Sequence, residues 1–144
     1  MANDLNTMDY TAEFLRGWPS VATQELSRYP LASGVNVQAG DLVKLNGSGA
    51  LVKVGSGDAL AFAGIVVRGN LDDKSVANTN LPIVLWGHYI VRTQKYSGSV
   101  AIMGGVVADA GVFIPAGTNA PMGHVTEIIV GTGGAPNSIV VVVN

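Results

Sequence analysis

Leu42-Val43-Lys44-Leu45-Asn46-Gly47-Ser48-Gly49-Ala50-Leu51-Val52-Lys53-Val54 decides the fold of this chain. Two short runs, 42–45 and 51–54, flank a four-residue Asn-Gly-Ser-Gly segment. Asn and Gly accept the positive φ that tight hairpin turns demand, so the stretch predicts an antiparallel β-hairpin. The same grammar continues outward. Short runs rich in Val and Ile at 61–68, 82–93, 99–107, 111–114, 125–130 and 139–143 are expected to be strands, and Gly-rich or Asn/Asp-rich turns separate most of them. No amphipathic helical stretch of adequate length lies between them, which disfavours a parallel α/β fold. The expectation is an all-β domain, an antiparallel β-sandwich or jelly-roll-like fold or a small barrel.

The final run, Ile139-Val140-Val141-Val142-Val143, is apolar at every position. Such a strand suits burial on both faces, and at an exposed edge it would template aggregation, so a central place in its sheet is expected. Ala39-Gly40-Asp41-Leu42-Val43 is echoed by Ala110-Gly111-Val112-Phe113-Ile114, each leading into a strand from an Ala-Gly turn. Two similar hairpins would give this echo, as would chance in a chain so rich in Gly, Ala and Val.

Upstream of the hairpin the chain changes character. Tyr10, Phe14, Trp18 and Tyr29, four of the nine aromatic residues, fall in the first thirty positions, which hold only one of nineteen glycines. Residues 1–33 therefore read as an N-terminal arm and residues 34–144 as a β domain. Tyr10, Phe14 and Trp18 are spaced four apart, which would place them on one side of a short helix capped by Asp9 or Thr11 and stopped by Pro19. The alternative is an irregular strap packed on its own domain. Burying four aromatics does not by itself outweigh the entropy of ordering some twenty residues, so the arm also needs paired backbone groups, from its own body or from a neighbour's sheet edge. Tyr10, Phe14, Leu15, Trp18 and Tyr29 are its candidate contact residues.

The charged fraction of 12% is about half the usual quarter. After residue 30, six acids balance six bases dispersed singly, which gives nothing like the basic patch that nucleic acid requires. A surface so poor in charge points to burial in an assembly, a dimer or trimer or a larger lattice. No segment reaches the roughly twenty apolar residues of a spanning helix, and the start lacks a secretory pattern, so synthesis in a cytoplasm is expected without membrane association. There is no cysteine.

Chemistry is poorly provided for. His88 and His124 are the two histidines, and neither has a companion at ligand or catalytic spacing. In a continuous strand Trp86 and His88 would share one face and Tyr89 the other. Asp72-Asp73 reads as a solvated loop, and the glycine clusters lack the trailing Lys-Ser/Thr of a phosphate loop. None of the lysines has the methionine neighbour of a lipoyl or biotinyl carrier. Neither a catalytic site nor a cofactor nor a metal is expected.

From Ala39-Gly40-Asp41-Leu42-Val43-Lys44-Leu45-Asn46-Gly47 through Gly49-Ala50-Leu51-Val52-Lys53-Val54 to Ala61-Phe62-Ala63-Gly64-Ile65-Val66-Val67, the chain resembles the cement or decoration proteins of tailed-phage heads. These often show an Ala-Gly-Asp-apolar segment, a turn and an Ala-Phe-x-Gly-Ile strand. The resemblance covers residues 34–68, and beyond it the likeness is one of style. It implies a non-enzymatic virion component on the outer capsid surface that bridges neighbouring major capsid proteins as a dimer or trimer. The competing expectation is a carbohydrate-binding or host-attachment β-sandwich, with Trp86, Tyr89 and Tyr96 stacking on sugar rings.

Overall fold

A computed structural model describes residues 12–16, 27–71 and 82–144. The described residues form strands and turns without a helix. The strands are β1 (Ala12–Arg16), β2 (Ser27–Arg28), β3 (Leu42–Leu45), β4 (Leu51–Lys53), β5 (Gly64–Arg68), β6 (Ile83–Leu85), β7 (Tyr89–Thr93), β8 (Gly105–Asp109), β9 (Val112–Pro115), β10 (Gly123–Ile129) and β11 (Ser138–Val143). They make two antiparallel sheets, ordered β1-β7-β11-β10-β8-β9 and β2-β6-β5-β3-β4. The all-β sandwich expectation holds.

The hairpin forms where its turn chemistry places it. β3 pairs with β4, and the Asn46 side-chain oxygen accepts from the N–H groups of Ser48 at 2.9 Å and Ala50 at 3.0 Å, closing the loop locally. The apolar last strand is central: β11 lies between β7 and β10, and only Val142 of its residues escapes full burial.

Alternation along the second sheet feeds two cores. Leu42 and Ile65 join Tyr89, Val91, Phe113, Val125, Ile139 and Val141 between the sheets. Their neighbours Val43 and Val66 point the other way, into a smaller cluster with Val37, Leu51 and Val84. The second sheet's own curl encloses that cluster. Arg28 pairs with Ile83 of β6, and only three residues later Leu31 bridges to Leu51 of β4 on the opposite flank. Three residues span at most about 10 Å, whereas in a flat sheet those flanks would stand roughly 20 Å or more apart. Leu51 donates to the Pro30 carbonyl at 2.8 Å and accepts from the Ala32 N–H at 3.0 Å, so the segment after β2 straddles the seam of a strongly curled but open sheet.

Four expectations are corrected. The helix expected around residues 10–18 is not what Ala12–Arg16 forms: that stretch is β1, antiparallel to β7. Pairing with an available edge, a non-local choice, overrides the four-residue aromatic spacing. The strand expected over 82–93 is two strands in different sheets, because Gly87 at φ 83° and His88 at φ 57° turn the chain between β6 and β7. The face assignment of Trp86, His88 and Tyr89 falls with it. The Ala-Gly echo does not mark two equivalent hairpins, since β3 opens one hairpin and β9 closes another. Residues 99–104 are a loop, with β8 beginning only at Gly105.

Candidate interaction surface

Of the five arm residues, Tyr10 and Trp18 lie outside the described residues. Phe14 and Leu15 are on β1, whose backbone pairs with β7 through Ala12↔Thr93, Glu13↔Arg92, Phe14↔Val91 and Arg16↔Ile90. Tyr29 follows β2 and packs half-buried on the smaller cluster. The part of the arm that the structure describes thus draws its backbone partners from its own body, with β1 flanking one sheet and β2 the other.

Tyr29 meets an aromatic group that the sequence does not announce. Its ring stands edge-on to Trp86, centroids 5.9 Å apart at 90°, and Phe62 stacks on Trp86 at 5.6 Å and 14°. Phe62 is 66% exposed. Gly64 makes room for the stack, because a Cβ there would meet Val84 at 2.5 Å and the indole at 2.9 Å. The indole Nε1 is buried and has no hydrogen-bond partner among the described residues. Beside Phe62 a shallow recess of about 60 Å³ is lined by Ala61, Ala63, Gly87, Met122 and Asn144 among others.

The three sugar-stacking candidates do not converge. Tyr89 is in the main core, where burial pushes its phenol far above the ordinary range, and Tyr96 packs half-buried against that core beside Phe113. Trp86 alone remains at the surface, with Phe62 covering it. His88 is exposed at the β6–β7 corner, while His124 sits on β10 opposite Val142 and Gly105. Among the described residues no group of three or more His, Asp or Glu could hold a metal ion. Asp72-Asp73 lies outside them.

A second exposed apolar surface runs along the open side of β10. β8 pairs with β10 only at Gly123 and His124, so no described strand flanks Glu127–Ile129 on that side. The loop before β8 is tied there by the Met103 N–H, which donates to the Val125 carbonyl at 2.7 Å. Ile102 (54%), Met103 (71%), Ile128 (39%) and Val130 (70%) are exposed around this edge. Met103 adopts φ 66°, a left-handed conformation that non-glycine residues rarely take. Neighbouring copies or a larger surface could cover such side chains.

Two groups of charged residues tie the fold together. Asp41, from the Ala-Gly-Asp segment, is buried and paired with Lys95 at 2.8 Å and Lys53 at 3.4 Å. Lys44 pairs with Asp58, and the bond from its ammonium, with that from the Gly55 N–H, holds the Asp58 carboxyl below its ordinary value. The glycine clusters are turns: Gly133 and Gly134, at φ 62° and 87°, lie in the β10–β11 connection.

No family model, curated protein or solved structure matches this chain.

Proposed function

We propose that this chain is a structural protein of a virion, made in the host cytoplasm, that decorates the outer surface of a tailed-phage head and cements it by bridging neighbouring major capsid proteins. The observation that carries the reading is the apolar edge of Ile102, Met103, Ile128 and Val130 on a body whose charges are few and balanced. Exposed apolar patches of this kind mark protein contact. A shell presents many identical sites, and a self-associated clamp touching several at once gains effective concentration, so modest single contacts suffice. Binding the assembled shell but not its dissociated subunits stabilises the shell by mass action.

Co-sedimentation with empty phage heads tests the reading. The protein is expected to pellet with the heads and to raise the temperature at which they rupture. Ile102→Asp with Val130→Asp is expected to abolish both effects, and deletion of residues 1–20 to weaken them. Failure of the unaltered protein to pellet with any head would remove the proposal.

The Phe62–Trp86 stack favours a second reading, a carbohydrate-binding module displayed on a virion, because 66% of Phe62 is open to solvent in a fixed orientation. Glycan-array binding lost on Phe62→Ala, with an unchanged melting temperature, would select it over cementing.

A further inference from the structure

The outer edge of β1 carries a pattern that matches itself. β1 is the terminal strand of its sheet: one flank pairs with β7, and no described strand lies on the other. An open strand edge is a template for another strand, and the question is which strand fits it. The register answers. Glu13 lies opposite Arg92 and Arg16 opposite Ile90, with one extra residue accommodated between Phe14 and Arg16. Residues three apart on a regular strand belong to opposite faces. The irregularity at Leu15 absorbs one step, so Glu13 and Arg16 occupy positions on the same face, as their partners Arg92 and Ile90 do.

A two-fold axis perpendicular to a sheet leaves every residue on its own face, so only positions of one face can oppose each other across it. Placed at the irregular step of Glu13-Phe14-Leu15-Arg16, such an axis sets an acid opposite a base twice. A strand without the same irregularity would lose register on one side of it, which guards the edge against indiscriminate pairing.

We propose that β1 is the self-contact: Ala12–Arg16 of two copies pair antiparallel about a two-fold axis, Glu13 of each opposite Arg16 of the other, and join two six-stranded sheets into one. This deepens the proposed function by naming the surface through which the cement self-associates, and it rests on the self-association in that reading. The contact is isologous and closed, so it yields a dimer and leaves both β10 edges free for the shell.

The test uses the free full-length chain, without shells, by sedimentation equilibrium with circular dichroism as the check on folding. The unaltered protein is expected to be a dimer. Glu13→Arg and Arg16→Glu each set like charges opposite one another and are expected to be monomeric. An equimolar mixture of the two is expected to dimerise again, because each supplies the charge the other lacks, and the double variant is expected to dimerise by itself. If a single reversal unfolds the chain, Glu13→Gln with Arg16→Gln removes both pairs without repulsion and should weaken dimerisation about 2- to 30-fold. A monomeric or trimeric unaltered protein, dimeric single reversals, a folded mixture that stays monomeric, or a glutamine pair with unchanged affinity each overturns the proposal. A monomer that still pellets with heads would hand the β1 edge to a shell strand and leave cementing intact; a dimer without affinity for heads would do the reverse.

Discussion

The Nζ of Lys95 lies 2.8 Å from Oδ1 of Asp41, whose side chain is only 3% exposed. Lys95 follows β7 of the first sheet and Asp41 precedes β3 of the second, so the ion pair ties the two layers together at one end of the sandwich. The other carboxylate oxygen accepts from the Gln38 N–H at 2.9 Å and faces the Lys53 ammonium at 3.4 Å. Removing one member of a buried pair strands the other, at about 3–5 kcal/mol. Asp41→Ala is therefore expected to lower the melting temperature by roughly 10 °C or more. Lys53→Met should cost under about 1 kcal/mol, since the Lys53 side chain is 47% exposed. Thermal unfolding of the two variants checks the contrast, and equal losses would refute the assignment of the tie to Lys95.

Acid should dissolve a different pair. The Lys44 ammonium, and then the Gly55 N–H, hold the Asp58 carboxyl below its ordinary value of 3.8. A group whose pKa is lower folded than unfolded stabilises the fold above its unfolded pKa, and that contribution is lost as pH falls through the folded value. Asp58→Asn is thus expected to melt below the unaltered protein at pH 7, with the two melting temperatures converging below about pH 4. Both side chains are partly exposed, so 1 M salt should narrow the gap at pH 7 as well. A gap independent of pH would show that Asp58 acts through shape alone.

The sequence carried most of the sandwich but little of its surface. Asn46-Gly47 announced the first hairpin because turn chemistry is local, and Ile139–Val143 announced a central strand because its composition leaves no face for water. The aromatic spacing at Tyr10, Phe14 and Trp18 misled, since β1 is fixed by β7, more than seventy residues away along the chain. The corner at Gly87-His88 hid inside an apolar run, and the isolated glycine was its sole signal. Phe62 stood in a motif, but its stacking on Trp86, whose ring also meets Tyr29, depends on the curl of the second sheet, which no periodicity encodes. Asp41 stood out as part of a motif, but its burial and its lysine partners depend on packing between the sheets.

Close backbone approach makes Gly69 irreplaceable. A Cβ at this position would lie 2.1 Å from the Val37 carbonyl oxygen, which also accepts from the Leu71 N–H at 3.1 Å. The neighbouring Asn70 side chain accepts from the Val37 N–H at 2.8 Å, so the two segments cannot separate without losing both bonds. Gly69→Ala is expected to cost about 2–4 kcal/mol in denaturant unfolding. Gly47→Ala, where nothing lies within 4 Å, should stay within about 0.5 kcal/mol of the unaltered protein.

The β8–β9 hairpin leaves stability ungathered. Asp109 pairs with Val112 across a two-residue turn in which Ala110 and Gly111 both have positive φ, 49° and 80°. Two such residues make a type I′ turn, whose preferred pair is Asn-Gly, while alanine carries about 1 kcal/mol of left-handed strain. Ala110 is exposed, so a larger side chain meets no packing. Ala110→Asn is expected to raise the melting temperature by about 2–4 °C. A decrease would show that the bond from the Ala110 N–H to the Gly55 carbonyl, 3.1 Å, fixes the turn in a shape asparagine cannot share.

Met103 poses the opposite case, a strained residue whose side chain, unlike its N–H, has no visible reward inside the fold. It holds φ 66° and exposes 71% of its surface, so its side chain contributes little to the core. Glycine would relieve the strain, and its greater freedom in the unfolded chain would offset part of the gain. Met103→Gly is accordingly expected to leave stability unchanged or to raise it by up to about 1 kcal/mol, while co-sedimentation with phage heads falls severalfold. A residue strained without benefit to its own domain is best explained by what it touches outside it. A variant less stable than the unaltered protein by more than about 1 kcal/mol would instead make Met103 a packing residue, and would take away one of the four side chains on which the β10 contact surface stands.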